Sequence, residues 1–474
     1  MDYEAVIGLE THVQLKTQSK MWCGCANEFG APPNTHVCPV CLGLPGVLPV
    51  ANEEALRLTA LTGFLLNCTV ARDAKFDRKN YFYPDMPKNY QITQYDKPST
   101  LGGYVDFEFN GGLARVRITR AHLEEDVGKN FHFERQSGVD FNRAGVPLME
   151  IVSEPDIRSA EMAYEYLNSL KDILIYGGVS DCDMEKGMVR CDVNVSVRPR
   201  GQQELGAKIE IKNMNSFSGV RKALEYEIPR QIEVLERGGK LIQSTRRWDD
   251  PAGITEEMRT KEHAHDYRYF PEPDLMPFQP SDAWLAEVKS RVVELPLARK
   301  QRFMRDYQLP ASDAQTFVWD VPLGDYFEGI ARQARNPKAA ANWVINNLRA
   351  KLAETQTTLA DLKFKPAGIL ELAELVDSGK ISSRIAQEVF LEMFATGASP
   401  GGIVQKKGLA QVSDTGAIEK FCDEAIAANP GPAADFKAGK VAALNSLVGQ
   451  VMKLSKGKAN PALVRQILER KLKG

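Results

Sequence analysis

The sequence predicts an α+β fold: a mainly antiparallel sheet domain at 1–293, an all-α helical domain at 294–405 and a small basic helical tail at 406–474. Three observations predict it. Up to about residue 293, apolar and polar side chains alternate between Gly, Pro, Asn and Asp turns, the pattern of half-buried strands. From about 294 the texture changes to Ala, Leu, Lys and Glu at helical spacing, as in AANWVINNLRAKLAE and GILELAELVDSGKISSRIAQEVFLEMF. Gly/Pro stretches at 396–408 and 428–435 read as breaks that set off the last segment as a hinged module, with Ser399 a linker residue.

Composition bounds the function. The chain has 474 residues, 43% hydrophobic and 26% charged, with 60 basic against 62 acidic side chains. Such a chain is not disordered and is long enough for several domains with real cores. The balanced charge excludes a uniform polycation, though not a local nucleic-acid surface. No apolar run reaches the roughly 18 residues of a bilayer span, and MDYEAVIGLE has neither the basic nor the apolar region of a signal peptide. The expectation is a soluble cytoplasmic protein with no membrane partner.

The elements follow in order. In Ala5 to Leu15 the odd positions are apolar apart from Thr11, so a strand places Glu10 and His12 side by side on the opposite face. That pair is half of a metal cage or two residues facing water. Cys23, Cys25, Cys38 and Cys41 form C-x-C-x12-C-x2-C, with Gly24, Pro39 and Gly43 permitting tight knuckles. Four thiolates at this spacing suit structural tetrahedral Zn²⁺; His36 replacing one Cys, or four free thiols, are the alternatives. FDRKNYFYPDMPKNYQITQYD mixes Arg78, Lys79 and Lys88 with Tyr81, Phe82, Tyr83, Tyr90 and Tyr95, which suits either base stacking or plain core, and DYRYFPEPDLMP is equally ambiguous.

Acids come next: Glu124, Glu125 and Asp126 after RVRIT, then Glu150 and Glu154 in PLMEIVSEPD. Glu150, flanked by Leu148, Met149, Ile151 and Val152, costs several kcal/mol to bury unless paired or metal-bound. Hard oxygen ligands with one imidazole suit Mg²⁺ or Mn²⁺ holding nucleotide phosphates. For Asp126 and Glu154, an ordinary surface role stays open. A helix is expected at Glu161 to Leu174. MVRCDVNVSVR and AKIEIKN then read as an antiparallel hairpin whose polar face gathers Arg190, Asp192, Asn194 and Arg198 with Lys208, Glu210 and Lys212. That face could bind phosphates and adenine, or be a solvated sheet surface. No phosphate-loop or dinucleotide fingerprint occurs, and the G-x-S-x-G at Gly397 to Gly401 lacks the strand before its Ser that a nucleophile elbow needs. From Lys437 onward nine Lys and Arg face the single acid Glu469, which reads as an RNA-backbone binder or a charged helix face.

IGLETHVQL, FDRKNYFYPDMPKNYQI, HLEEDVGK, GVPLMEIVSEPDIRS, RCDVNVSVRP, KNMNSF, DYRYFPEPD and VGQVMKLSKGKANP, in that order, closely resemble signatures of the B-subunit family of glutamyl/aspartyl-tRNA amidotransferases. The resemblance runs over essentially the whole chain. It implies a cradle-shaped catalytic domain, a helical domain and a mobile tail touching tRNA. It also implies that ATP and Mg²⁺ phosphorylate the side-chain carboxylate of Glu on tRNA(Gln) or Asp on tRNA(Asn). Ammonia from a glutaminase A subunit then displaces phosphate, a small C subunit straps the two together, and no glutaminase is expected in this chain. Carried over residue by residue, the metal set falls on His12, Glu125 and Glu150, with Glu10 and Glu124 adjacent; if their segment is extended, only one of Glu124 and Glu125 can join Glu10 and His12. Lys79 and Lys88 correspond to positions near the exit of the ammonia channel, and the zinc knuckle is optional in the family. Two rivals remain: a non-catalytic, zinc-stabilised RNA-binding protein and a metal-dependent phosphohydrolase.

Overall fold

The computed structural model describes residues 2–260, 267–410, 415–455 and 459–473. The chain divides into two compact units, Met1–Leu297 and Ala298–Gly474.

The first unit is built on strands β1 (Tyr3–Gln14), β2 (Thr69–Val70), β3 (Asp77–Asn80), β4 (Tyr90–Thr93), β5 (Thr100–Leu101), β6 (Tyr104–Phe109), β7 (Gly112–Glu125) and β8 (Lys129–His132). They continue with β9 (Ser137–Asp140), β10 (Pro147–Ser153), β11 (Val189–Pro199), β12 (Ile209–Met214), β13 (Ser244–Asp249), β14 (Ile254–Thr260) and β15 (Phe270–Pro271). Helices α1 (Glu53–Leu65), α2 (Ala160–Tyr176), α3 (Phe217–Glu236) and α4 (Asp282–Ser290) accompany them. The main sheet runs β14-β13-β12-β11-β1-β10-β7-β5-β2, with β6 also on β7. Its pairings are antiparallel except β12 with β13, where α3 supplies the crossover that a parallel pair requires.

The alternation expected in the first strand holds. Ala5, Ile7, Leu9 and Val13 face the apolar core, where residues of α1, α2 and α3 also meet. Glu10, His12 and Gln14 take the other face and are only partly buried. A sheet covered by helices on one side is free to carry polar side chains on the other. Helix α2 matches the expected Glu161 to Leu174 with a residue or two added at each end, and Ser159 caps its start by accepting from the Met162 N–H at 3.1 Å.

The second unit is helical: α5 (Pro296–Asp306), α6 (Ala311–Trp319), α7 (Val321–Ala331), α8 (Pro337–Asn342), α9 (Arg349–Thr355), α10 (Pro366–Asp377), α11 (Ser383–Thr396), α12 (Pro400–Lys407), α13 (Thr415–Ala428), α14 (Pro430–Lys437), α15 (Ala443–Leu454) and α16 (Pro461–Lys473). A π-helical turn, Trp343–Leu348, joins α8 to α9. Two apolar cores form here, one centred on Phe303, Phe317, Phe327, Ile385 and Val389, the other on Ile418, Leu444, Leu447, Val464 and Leu468.

The Gly/Pro stretches differ from their expected role. Gly397 closes α11 in the left-handed conformation, Ser399 caps α12 by accepting from the Gly402 N–H at 3.2 Å, and Pro400 is its first residue. Ile403 and Val404 of α12 belong to the first of the two cores, so Ser399 is a capping residue inside packed structure rather than a linker. Pro430 likewise opens α14, whose Phe436 lies in the last core. Proline suits the first turn of a helix, where its missing N–H has no partner to lose.

The basic tail is also more balanced than its count. Lys471 pairs with Asp423 at 2.7 Å, Arg470 with Glu419 and Lys440 with Asp435 at 3.0 Å. These acids precede Lys437, so a count that starts there misses them; Lys456 and Lys458 lie outside the described residues. Among the described residues, no helix is long and apolar enough to cross a membrane.

Candidate catalytic face of the sheet

The register of the strands assembles the site. His12 on β1 lies opposite Glu150 on β10, which lies opposite His122 on β7. Side chains at i and i+2 of a strand share a face, so Glu124 joins His122. The His12 Nε2 atom is 3.5 Å from Glu150 and 3.6 Å from Glu124. These three side chains form one group whose ligand atoms could hold a metal ion.

Their electrostatics are those of a crowded site. Burial opposes a proton on His12, but the hydrogen bond with Glu150 and the charge of Glu124 outweigh it and raise the imidazole to about 9. Burial, with Glu150 nearby, pushes Glu124 up to about 7. Burial works against the charge on Glu150 too, yet its bond to His12 and the charge of His122 hold it well below the usual carboxylate range. His122 is buried, which lowers it to about 4, and its Nδ1 has no partner among the described residues. Two carboxylates and an imidazole that must share protons are a donor set that fits a divalent cation, whose charge removes the repulsion.

Glu125 is not in this group, contrary to the expectation. It shares the face of Ala121 and Leu123, away from His12, because the strand stays extended through both acids. There it pairs with Lys88 and accepts from the Ile92 N–H at 2.9 Å. Lys88 also packs against the cysteine segment: a Cβ at Gly43, whose φ is +68°, would lie 2.6 Å from the Lys88 side chain. Lys79, by contrast, does face the cluster. Burial disfavours its charge, but Glu124 and Glu150 overcome that and raise it above its ordinary value.

Glu10 is also outside the His12 group. Its partner across the sheet is Asp192, and these two converge with Glu210 on β12 as a second group of carboxylates. Lys212 bridges them, paired with Asp192 and 3.0 Å from Glu210. Asn194 donates to Glu10 at 2.8 Å, while its own Oδ1 is buried without a partner among the described residues. Arg190 is anchored by Asp126 at 2.8 Å. The hairpin's far end contributes nothing here: Arg198 pairs with Glu4 at 2.7 Å, about 20 Å along the strand from Glu10, and Lys208 is exposed just before β12. Glu154 accepts from Thr119 and stays apart.

The two ambiguous aromatic segments meet each other. Strand β15 pairs β3, Tyr95 stacks on Tyr269 at 4.2 Å, and the Lys79 ammonium lies 5.0 Å from the Tyr267 ring. The four cysteines bring their sulfurs within 4.8 Å of one another, with Cys38 and Cys41 3.9 Å apart. Sulfurs on one Zn²⁺ with bonds of about 2.3 Å are spaced by nearly that distance, so the cluster could hold a metal.

Sequence reasoning missed His122, Gln14 and Arg143. Alternation alone flags His122, two residues before Glu124, and Gln14, two after His12. Arg143 has no such signal; it reaches Asp126 at 3.6 Å from a loop.

Residues 5–286 match the family described as the GatB/GatE catalytic domain, and residues 325–472 match the GatB domain. The chain belongs to the amidotransferase B-subunit family. The B subunit of the aspartyl/glutamyl-tRNA(Asn/Gln) amidotransferase of Carboxydothermus hydrogenoformans is 54% identical over 476 residues, covering 99% of both chains. Proteins of the same description from a Thermoanaerobacter species and from Brevibacillus brevis are 52% and 51% identical over 474 and 469 residues, covering 100% and 98% of each chain. The chain is thus the B subunit of a tRNA-dependent amidotransferase, a ligase of protein biosynthesis, and the readings without ligase activity are set aside.

Proposed function

We propose that the polar sheet face activates the side-chain carboxylate of Glu-tRNA(Gln) or Asp-tRNA(Asn) with ATP. The observation that carries this reading is the placement of two carboxylate groups, His12–Glu124–Glu150 and Glu10–Asp192–Glu210, side by side on one face. Glu10 and His12 are two residues apart on β1, so the groups are about 7 Å apart at the backbone. Mg²⁺ bound at such sites neutralises phosphate charge and positions the transferring group.

The chemistry balances without a protein nucleophile. A substrate carboxylate oxygen attacks the γ-phosphorus, the bond to ADP breaks, and an acyl phosphate forms. The lone pair of ammonia then attacks the acyl carbon, the bond to phosphate breaks, and a proton leaves the nitrogen as the amide forms. Lys79 faces the place where negative charge builds, and Arg190, fixed by Asp126, lies on the same face. A glutaminase A subunit supplies the ammonia, and a small C subunit completes the assembly. The relatives' description as B subunits supports the existence of further subunits and of a tRNA partner. Lys88, bound to Glu125, acts as a brace rather than a group in the reaction.

In the same reading the four cysteines hold structural Zn²⁺, the segment from 406 to 474 is a tRNA-binding module, and the protein works in the cytoplasm. Among the described residues of that module, Lys437 and Lys453 carry no ion pair and are available to phosphates.

The test combines the chain and its partner subunits with ATP, Mg²⁺, ammonium and mischarged tRNA. Amide on the tRNA that disappears in Glu150→Ala supports the reading; undiminished product in that variant defeats the metal assignment. Deleting α13–α16, residues 415–474, should weaken tRNA binding in a salt-dependent way, and unchanged affinity would remove the tail from the interface.

A further inference from the structure

A cavity of about 290 Å³ opens at the end of β1, beyond the two carboxylate groups. Its wall includes Gln14, two residues on from His12 and therefore about 7 Å further along the strand. Gln14 donates to Asp126 at 2.8 Å, and Arg143, another wall residue, reaches the same carboxylate, so the cavity and the catalytic face share one polar network.

Two aromatic rings that no core absorbs line it: Phe29 is 61% exposed and Phe131 37% exposed. The Lys129 ammonium sits 5.0 Å from the Phe131 ring. Exposed rings beside cations are stacking platforms for unpaired bases. The wall's remaining charge argues against a nucleoside triphosphate, because Glu28, Asp140 and Asp181 nearly cancel Lys16, Lys129, Arg143 and Lys186. A nucleoside with at most one flanking phosphate suits that balance; three phosphates do not.

We infer that this cavity seats the unpaired terminal nucleoside of the aminoacylated RNA, stacked by Phe29 and Phe131. This rests on the proposed function and adds a location to it. The aminoacyl ester is carried on the terminal ribose, so the nucleoside next to the catalytic face must be the last one. Gln14 then lies between the base subsite and His12, where the aminoacyl arm passes.

Equilibrium binding to the complete complex tests this with two probes, intact tRNA and the same tRNA lacking its 3′-terminal nucleotide. The wild type should prefer the intact form by about tenfold or more. Phe29→Ala and Phe131→Ala should bring the intact tRNA down to the truncated one while leaving ATP affinity unchanged, and Phe131→Tyr should keep the preference. Equal binding of both tRNAs by the wild type, a full preference in the alanine variants, or loss of ATP affinity in its place overturns the inference. Amidation by the same wild-type preparation reads the proposed function separately, so the two can fail independently.

Discussion

The polar face of the sheet and the helical second unit treat charge in opposite ways. In the first unit His122, Glu124, Glu125, Asp126, Glu227 and Glu272 are all buried; in the second, the buried polar residues among those described are Arg299 and Ser455. Burying an ionised group costs several kcal/mol unless it is paired or metal-bound, so stability alone does not collect so many. Asp126 and Glu125 meet that cost with a salt-bridged Arg or Lys, whereas Glu124 and Glu150 lie close to each other and share His12, with no Arg or Lys salt bridge to either among the described residues. The difference separates charges that hold the fold from charges that await a ligand.

The comparison breaks most visibly at Glu150. Glu150→Ala should lower amidation by more than about 100-fold, since even residues supporting a metal ligand cost 10–100-fold. Titration with Mn²⁺ should show the loss of binding directly. Glu125→Gln and Glu124→Gln then sharpen the contrast between adjacent acids. Removing the charge of Glu125 leaves Lys88 buried and unpaired, an expected loss of about 3–5 kcal/mol in denaturant unfolding with divalent binding intact. Glu124→Gln should reverse this pattern, keeping the apo protein folded while abolishing stabilisation by Mg²⁺. In the last helical core, Leu447→Ala should cost about 2–5 kcal/mol of local stability, read by hydrogen exchange in 443–454, with Mn²⁺ affinity unchanged. The smallest effect belongs to Ser382, which caps α11 by accepting from the Ile385 N–H; Ser382→Ala should cost about 1 kcal/mol and no activity.

Much of this is legible in the sequence where the signal is local. Alternation puts Glu10 and His12 on the polar face, spacing groups Cys23, Cys25, Cys38 and Cys41, and the textural change marks the helical half. What fails depends on information that adjacent residues do not carry. Whether Glu124 or Glu125 faces His12 depends on which face of β7 meets the helices. That Glu10 joins Asp192 and Glu210 depends on the register of β1 against β11, far along the chain, and on the β11–β12 hairpin's register, which has an irregularity between Cys191 and Val193. Ser399 and Pro430 mislead because the residues that begin helices are also those that follow their ends. The tail's basic excess shrinks because Glu419 and Asp423 sit one helix upstream of where the count begins.

The central position of β1 also has a consequence for biosynthesis. Its sheet neighbours are β10 and β11, so this strand, once off the ribosome, cannot pair with either until Pro147 and the residues after it have been made. At about 5–20 residues per second that wait is on the order of ten seconds. During it a strand containing Val6, Ile7, Leu9 and Val13 stands open to the wrong partners, and Glu10 and His12 interrupt its apolar run as charged gatekeepers do. Replacing both with apolar residues should therefore lower the soluble yield of nascent chains as well as remove ligands, which ties the survival of the newborn chain to the same two side chains that serve its chemistry.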